Sequence, residues 1–409
     1  MKKPLWQRIS KGTVTSPEGF RASGMYSGIK RNKHKYDSSL IFSEKPCTAA
    51  GTFTINKVKA WSVLHSMRAV RVASKHHAIL ASSGNANCIN GIEGKQALDE
   101  CVAEAAAQLN INYDEILAAQ TGLIGVKFPT QRLKRAIPIL VKKLSDGESG
   151  GRAAAKGIMT TDRTVKQVAL SFYIGDKKVT IGACAKGAGM VHPNMATMLM
   201  FITTDCAITK PLLGRALRHA VDDSFNKMAI DNDMSTNDMV FVLANGAAGN
   251  PVLYKVDRVY HLFREALEEV CRIISYDMVR DGEGVTHVCT LRIKGAKNPT
   301  LAEKAARQVG NSMLFKTMLA GADPNWGRIA AAIGASGLSF DPDDLNITIG
   351  DVPVVHNGRM RALNLPKARR VLLRKEFPIE VTVGNGRGNA HFVTCDLTAK
   401  YVMINAAYS

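Results

Sequence analysis

The densest run of residues able to do chemistry is Lys186-Gly187-Ala188-Gly189-Met190-Val191-His192-Pro193-Asn194-Met195-Ala196-Thr197-Met198-Leu199. A glycine-rich turn follows an apolar stretch, and a short polar stretch leads into a second apolar run over residues 198–202. Glycines so placed could cradle a phosphate, but the spacing is neither GxGxxG nor GxxxxGK[ST], and no helix start follows. His192 could act as a base or a ligand. With a proline beside it and no second histidine at ligand spacing, a structural role fits it better. Thr197, taken alone, reads as an ordinary strand threonine.

The elements that would position this run alternate between strands and helices, without internal repeats. Residues 38–53 have the small and β-branched character of strands with turn breaks. Residues 94–109 carry Ala and Leu at helical spacing, and 114–119 open another helix. Residues 133–144 are again helical, with Pro138 marking a bend or boundary. A loop over 146–151 precedes 152–158. Residues 166–174 and 178–184 form a strand pair around Gly175-Asp176. Then come an amphipathic helix at 211–225, a buried strand at 239–244 and a helix at 262–275. Beyond about residue 290 the pattern restarts, strand-rich from 341 to 383. The expectation is a layered α/β or α+β protein, with a main domain over 1–289 and a smaller one over 290–409.

Composition narrows the class. A chain of 409 residues with 46% hydrophobic and 22% charged residues is long enough for two buried cores. No apolar run reaches the ~20 residues of a membrane-spanning helix, and the basic start Met1-Lys2-Lys3 lacks the apolar stretch of a secretory signal. The eight cysteines lie far apart with no CxxC pair, which suits core packing in a reducing cytoplasm. The net charge of +19 could serve nucleic acid or anionic partners. Its basic residues are scattered, however, with short clusters such as Lys30-Arg31-Asn32-Lys33-His34-Lys35, and aromatics are only 6%. A solvated surface with some attraction for dicarboxylates is the expectation.

Ordered motifs give the sequence its specificity. Residues 186–199 closely resemble the cleavage and nucleophile segment of the ornithine acetyltransferase family, also called glutamate N-acetyltransferase. Ser83-Gly84-Asn85-Ala86-Asn87, Gln120-Thr121-Gly122-Leu123-Ile124-Gly125 and Ile158-Met159-Thr160-Thr161-Asp162 resemble further family signatures. So do Ser235-Thr236-Asn237-Asp238, Val279-Arg280-Asp281-Gly282-Glu283-Gly284, Gly321-Ala322-Asp323-Pro324-Asn325-Trp326-Gly327-Arg328, Cys395-Asp396-Leu397-Thr398 and Tyr401-Val402-Met403-Ile404-Asn405. Each string is weak alone; their order along nearly the whole chain is specific.

The resemblance implies self-cleavage between Ala196 and Thr197. The new α-amine has an ordinary pKa of roughly 7.7–8.0, so Thr197 would carry both nucleophile and base. It implies an oxyanion pocket from the Thr121 hydroxyl and the Gly122 N–H, and substrate contacts at Thr160, Lys186, Thr197, Glu283, Asn405 and Ser409. The family's terminal hydroxyl residue stands five positions after the asparagine, whereas Ser409 stands four after Asn405. The family's DGDTSTND reads Asp231-Asn232-Asp233-Met234-Ser235-Thr236-Asn237-Asp238 here. The implied fold is a layered αββα sandwich similar to N-terminal nucleophile hydrolases, with a smaller C-terminal α/β domain whose tail returns to the active site. The implied reaction is ping-pong acetyl transfer from N-acetylornithine to glutamate, in arginine biosynthesis, by a cytoplasmic α2β2 assembly of cleaved fragments. No metal or redox cofactor, nucleic acid or membrane is implied, and acetyl-CoA is the one candidate co-substrate, ranked behind the amide donor. Rivals are a self-cleaving aminopeptidase, whose relatives generally carry serine at the Thr197 position, a nucleic-acid binder and a cleaved but inactive scaffold.

Overall fold

The computed structural model describes residues 5–192 and 198–407. Within them the chain is mixed α/β and divides into two units. The first takes the chain up to Gly187, the stretch ending at Asn226, and Met234–Ser275; the second takes the short stretch from Ala188, Lys227–Asp233, and the chain from Tyr276 onward.

The first unit contains strands β1 (Gln7–Arg8), β2 (Phe20–Met25) and β3 (Ser38–Phe53), then helix α1 (Trp61–Val72), β4 (His76–Asn85) and α2 (Gly91–Leu109). There follow β5 (Ile116–Leu123), α3 (Thr130–Lys142), α4 (Glu148–Ile158), β6 (Lys166–Ile174), β7 (Lys177–Lys186), β8 (Leu199–Thr204), α5 (Lys210–Asp222), β9 (Met239–Ala244) and α6 (Arg258–Arg280), the last continuing past Ser275. The strands join in the order β1-β6-β7-β8-β9-β3-β4-β5, with β2 also on β3.

Strand β3 holds this arrangement together. Its first part, Ser38–Phe42, pairs with β4, and after a register shift Thr48–Phe53 pairs with β9. The expected turn breaks are therefore one long strand that changes partners where Glu44, Lys45 and Pro46 are exposed. Proline has no N–H to give a ladder and is tolerated at such a transition.

Alternation along the strands then builds four layers. Ala78 and Leu80 of β4, with Ile116 and Ala118 of β5, face Leu98 and Cys101 of α2 and Leu133 and Ile137 of α3. Their neighbours Ile79, Ala81, Leu117 and Ala119 share a second core with Leu199, Phe201, Met239 and Phe241 of β8 and β9. Val63 of α1 and Ala154, Ala155 and Ile158 of α4 complete that core. On the far side, Phe172 of β6 meets Phe263 of α6 with ring centroids 6.5 Å apart, and α5 packs on β3. The helix–strand–strand–helix layering matches the expectation.

Two local expectations are overturned. Residues 114–119 do not open a helix: Asn112 and Glu115 cap each other across a single 3-10 turn, Tyr113–Glu115, and Ile116 starts β5. A short apolar run buried on both faces carries no period that separates strand from helix. The glycine-rich 146–151 is not wholly loop either, because α4 begins at Glu148. Its glycines let the helix lie directly on strands; a Cβ on Gly157 would stand 2.4 Å from the Ser38 carbonyl oxygen. Helix α3 also passes through Pro138.

The second unit contains β10 (Val288–Ala296), α7 (Pro299–Gly310), α8 (Met313–Ala320), α9 (Trp326–Gly334), β11 (Asn346–Ile349) and β12 (Val352–His356). It continues with β13 (Arg359–Met360), α10 (Leu365–Leu372), β14 (Glu376–Thr382), β15 (Gly388–Cys395) and α11 (Ala399–Ala406). Its sheet runs β13-β12-β11-β14-β10-β15, and Leu291, Ile293, Ile347, Ile379 and Val381 pack against Ala305 and Val309 of α7. All eight cysteines are buried and unpaired. Among the described residues no helix is long and apolar enough to cross a membrane.

Phe241 is fully buried, with ring centroids 5.9 Å from Phe201 and 6.0 Å from Phe53. Truncating it opens a cavity in the shared core, so Phe241→Ala should cost about 3–5 kcal/mol. A urea melt of wild type and variant measures this.

Candidate active site

Thr121 and Gly122 lie at the end of β5, beside the end of β4. The two strands run parallel with Ser83 opposite Thr121 and Gly84 opposite Gly122, and the register slips at Asn85. Gly122 has φ +133°, and a Cβ there would stand 2.3 Å from the Gly84 carbonyl carbon. Only glycine fits both the angle and the approach. The Asn237 amide ties this corner together by donating to the carbonyls of Ala86 and Gln120, each at 2.7 Å. The Thr121 side chain is thus held at a strand end whose backbone is pinned on two sides.

Lys186 closes β7 and is buried; its Nζ lies 3.5 Å from the Thr121 Oγ1, a long and weak hydrogen bond. The structure therefore brings together Thr121, Gly122 and Lys186. Thr160 joins them through Asp162, whose Oδ2 accepts the Thr160 N–H at 2.9 Å. The other Asp162 oxygen accepts from Lys166 Nζ at 2.7 Å and from the Gly187 N–H at 2.8 Å. Burial alone would raise the Asp162 carboxyl. The Lys166 and Lys186 ammoniums and the Gly187 N–H hold it below the ordinary carboxylate range instead.

Ala196 and Thr197 lie outside the described residues, as does Ser409. The chain just after them is fixed at Met198, whose N–H donates to Asp238 Oδ1 at 2.9 Å and whose carbonyl accepts from the Met239 N–H at 3.1 Å. Complete burial pushes the Asp238 carboxyl well above its ordinary value, although the Met198 N–H and the Lys186 charge pull the other way. Asp238 therefore holds the backbone at Met198, the residue that follows Thr197 in sequence.

In the second unit, Glu283 is buried beside Gly189 and receives the Asn405 amide at 2.8 Å. A Cβ on Gly189 would stand 2.6 Å from the Glu283 carboxyl carbon, so the glycine turn there fits against that carboxylate. The same turn is clamped by Asp231, which accepts the N–H groups of Met190 at 2.6 Å and Val191 at 2.7 Å. The Tyr401 hydroxyl also donates to Asp231, at 3.1 Å. Asp162, Lys166, Asp231, Asp238 and Tyr401 had no role read from the sequence. Four of these, Asp162, Asp231, Asp238 and Tyr401, lie inside motifs singled out there, but burial and partners, which give them their work, are not written in a string of residue types. Among the described residues no three His, Cys, Asp or Glu side chains group as metal ligands.

Residues 21–409 match the ArgJ family. The chain belongs to the ArgJ family. The ordered motifs had pointed to this family, and its arginine-biosynthesis enzymes are relatives over the full length. The arginine biosynthesis bifunctional protein ArgJ of Symbiobacterium thermophilum is 44% identical over 398 residues, covering 97% of this chain and 98% of that protein. A bifunctional protein ArgJ 1 of Clostridium acetobutylicum is 42% identical over 98% of each chain. Among solved structures, the ornithine acetyltransferase of Mycobacterium tuberculosis in complex with ornithine is 34% identical, with a TM-score of 0.43 over 46% of this chain and 98% of that one. As an ArgJ member the chain is an enzyme of arginine biosynthesis and an acyltransferase.

Asp162→Asn should strand the buried Lys166 charge and cost about 3–5 kcal/mol. Because the folded-state pKa of Asp162 is lowered from 3.8, its contribution is present above that value and fades as pH falls toward and through the lower one. Melting curves between neutral pH and strong acid should converge for wild type and variant only at the acid end.

Proposed function

We propose that this chain moves an acetyl group from N-acetylornithine to glutamate through an acetyl ester on Thr197, after cutting itself between Ala196 and Thr197. The observation that carries the reading is the buried Thr121–Lys186 contact at the end of β5 and β7, in a member of the ArgJ family matched over residues 21–409. In the cut, the Thr197 hydroxyl attacks the Ala196 carbonyl and the acyl group passes from nitrogen to oxygen. Water then opens the ester, leaving a carboxylate on Ala196 and a free amine on Thr197. That amine takes the hydroxyl proton when Thr197 attacks the acetyl carbonyl of N-acetylornithine. The tetrahedral oxyanion is met by the Thr121 hydroxyl and the Gly122 N–H, with the Lys186 charge close behind. Ornithine leaves with the proton; the glutamate amine then attacks the ester, releasing N-acetylglutamate and restoring Thr197.

Lys186 suits a substrate carboxylate, and Glu283 suits the cationic amine of ornithine. Thr160 and Asn405 complete the substrate contacts, and Ser409 at the chain end is a further one. Cleaved pieces stay together as an α2β2 assembly in the cytoplasm. A second reading adds acetyl-CoA as a donor to the same Thr197; the printed name of the relatives, a bifunctional protein, favours it.

Intact-mass spectrometry should find two pieces, the second beginning Thr197-Met198-Leu199, and N-acetylornithine should add one acetyl group to that piece. Thr197→Ala should stay whole and inactive. A folded wild type that remains one chain would sink the mechanism. Thr121→Ala should lower the transfer rate by roughly 10²–10³. Glu283→Gln should raise the KM for N-acetylornithine more than it lowers kcat; unchanged kinetics in both variants would remove these residues from the site.

A further inference from the structure

Met190 has φ +57°, in the left-handed region that residues with a Cβ avoid. Glycines stand close by at Gly187 and Gly189, yet the left-handed position falls to a methionine. Its side chain is 39% exposed, so packing does not account for the choice. Strain of this kind persists only where the surroundings over-determine it.

One carboxylate supplies most of that constraint. Asp231 Oδ2 accepts the Met190 N–H at 2.6 Å, and Asp231 Oδ1 accepts the Val191 N–H at 2.7 Å. Successive N–H groups converge on one anion when the chain turns through the left-handed region. The carboxylate is itself fixed. The Tyr401 hydroxyl of α11 donates to Oδ2 at 3.1 Å, and the Asp233 N–H donates to Oδ1 at 3.2 Å. The Val191 carbonyl in turn accepts the Ile230 N–H at 3.0 Å and the Asn232 N–H at 3.3 Å. That segment rests on a sheet: Met228 bridges to Val393 of β15, and the Ala229 N–H donates to the Val393 carbonyl at 3.1 Å. All of these residues belong to the second unit.

The proposed cut follows Ala196, five residues beyond Val191. Five residues reach at most about 18 Å, so the anchoring of Val191 limits where the scissile carbonyl can lie. A hydroxyl that attacks the carbonyl of its own peptide bond depends on such placement. An error of about 1 Å can cost roughly 10²-fold in rate.

We propose that Asp231 and Tyr401 are positioning residues for self-cleavage: they hold Met190 in its left-handed turn and so set the course of the chain into the cut. The proposal rests on the cutting reading above. Because Tyr401 lies on α11, the clamp is complete only once that helix has folded.

The test is the rate at which freshly made full-length chain divides, followed on denaturing gels after cell-free synthesis is stopped. Asp231→Asn keeps one acceptor oxygen but turns an NH2 toward the other N–H, so the cut should slow about ten-fold or more. Tyr401→Phe removes one hydrogen bond and should slow it about three-fold. Met190→Gly adopts the left-handed turn without strain, and the exposed side chain it removes leaves no cavity. Added to Asp231→Asn, it should restore the cut to within about three-fold of wild type. Melting curves taken in the uncut Thr197→Ala background certify folding. Rates are compared well below every melting midpoint, where a difference in stability alone leaves them unmoved. Equal rates in wild type and folded Asp231→Asn, or no rescue by glycine, would overturn the proposal and leave the cutting reading standing. A wild type that stays whole would overturn both.

Discussion

One buried carboxylate, Asp162, is held ionised by the charges of two buried lysines, Lys166 and Lys186. Taking charges out of water costs several kcal/mol per ion, and a hydrophobic cluster of equal volume would serve stability as well. What the arrangement provides is direction. Asp162 is held close to Lys166 at 2.7 Å and to the Gly187 and Thr160 backbone, while Lys186 is turned toward Thr121. Asp162 thereby ties the loop after α4 to the start of β6 and the end of β7, and Lys186 reaches from there to the end of β5. An acyl transfer from an unactivated amide needs positive potential that is in place before the negative oxygen forms. A charge buried beside a fixed counter-ion meets that need better than a solvated lysine, whose water would have to reorganise.

The strands that carry these groups are equally constrained. β3 is shared between both halves of the sheet, so the register of β4 and β5 on one side and of β9 and β8 on the other is set by a single chain segment. Thr121 sits on the first side, and Lys186 on β7 beyond β8 on the second. Their contact is possible because β3 crosses from one layer to the next near Pro46. The Thr121–Lys186 geometry in this unit is therefore a property of the sheet's connectivity rather than of any one loop.

Much of this was legible in the residues. The strand pair around Gly175-Asp176, the buried strand at 239–244 and the helix ending at Leu109 follow from period and turn chemistry, and they stand as read. The failures have two causes. Ile116–Thr121 is buried so completely that polar alternation, the usual marker of type, is missing. The start of α4 carries Gly150 and Gly151, which read as loop but lie buried where the helix packs. Thr121, Gly122, Lys186 and Glu283 drew attention through ordered motifs, not through any property of the residues singly. Asp162 and Asp238 escaped because a carboxylate's importance here lies in the absence of water, which sequence does not record.

Strand β8 has a further meaning once its neighbours are considered. It lies inside the sheet, hydrogen-bonded to β7 on one side and β9 on the other, and every residue from Leu199 to Thr204 is buried. The proposed cut between β7 and β8 would leave β7 toward the end of one piece and β8 toward the beginning of the other. Were the pieces to part, each would present an open, apolar edge, the kind of surface that templates aggregation. The ladder between Lys186 and Ile181 on one strand and Leu199 and Thr204 on the other would keep two such pieces one body in all but covalent bonding. Each piece made alone would lack the partner that hides its edge, so a chain that folds before the proposed cut would act as its own chaperone.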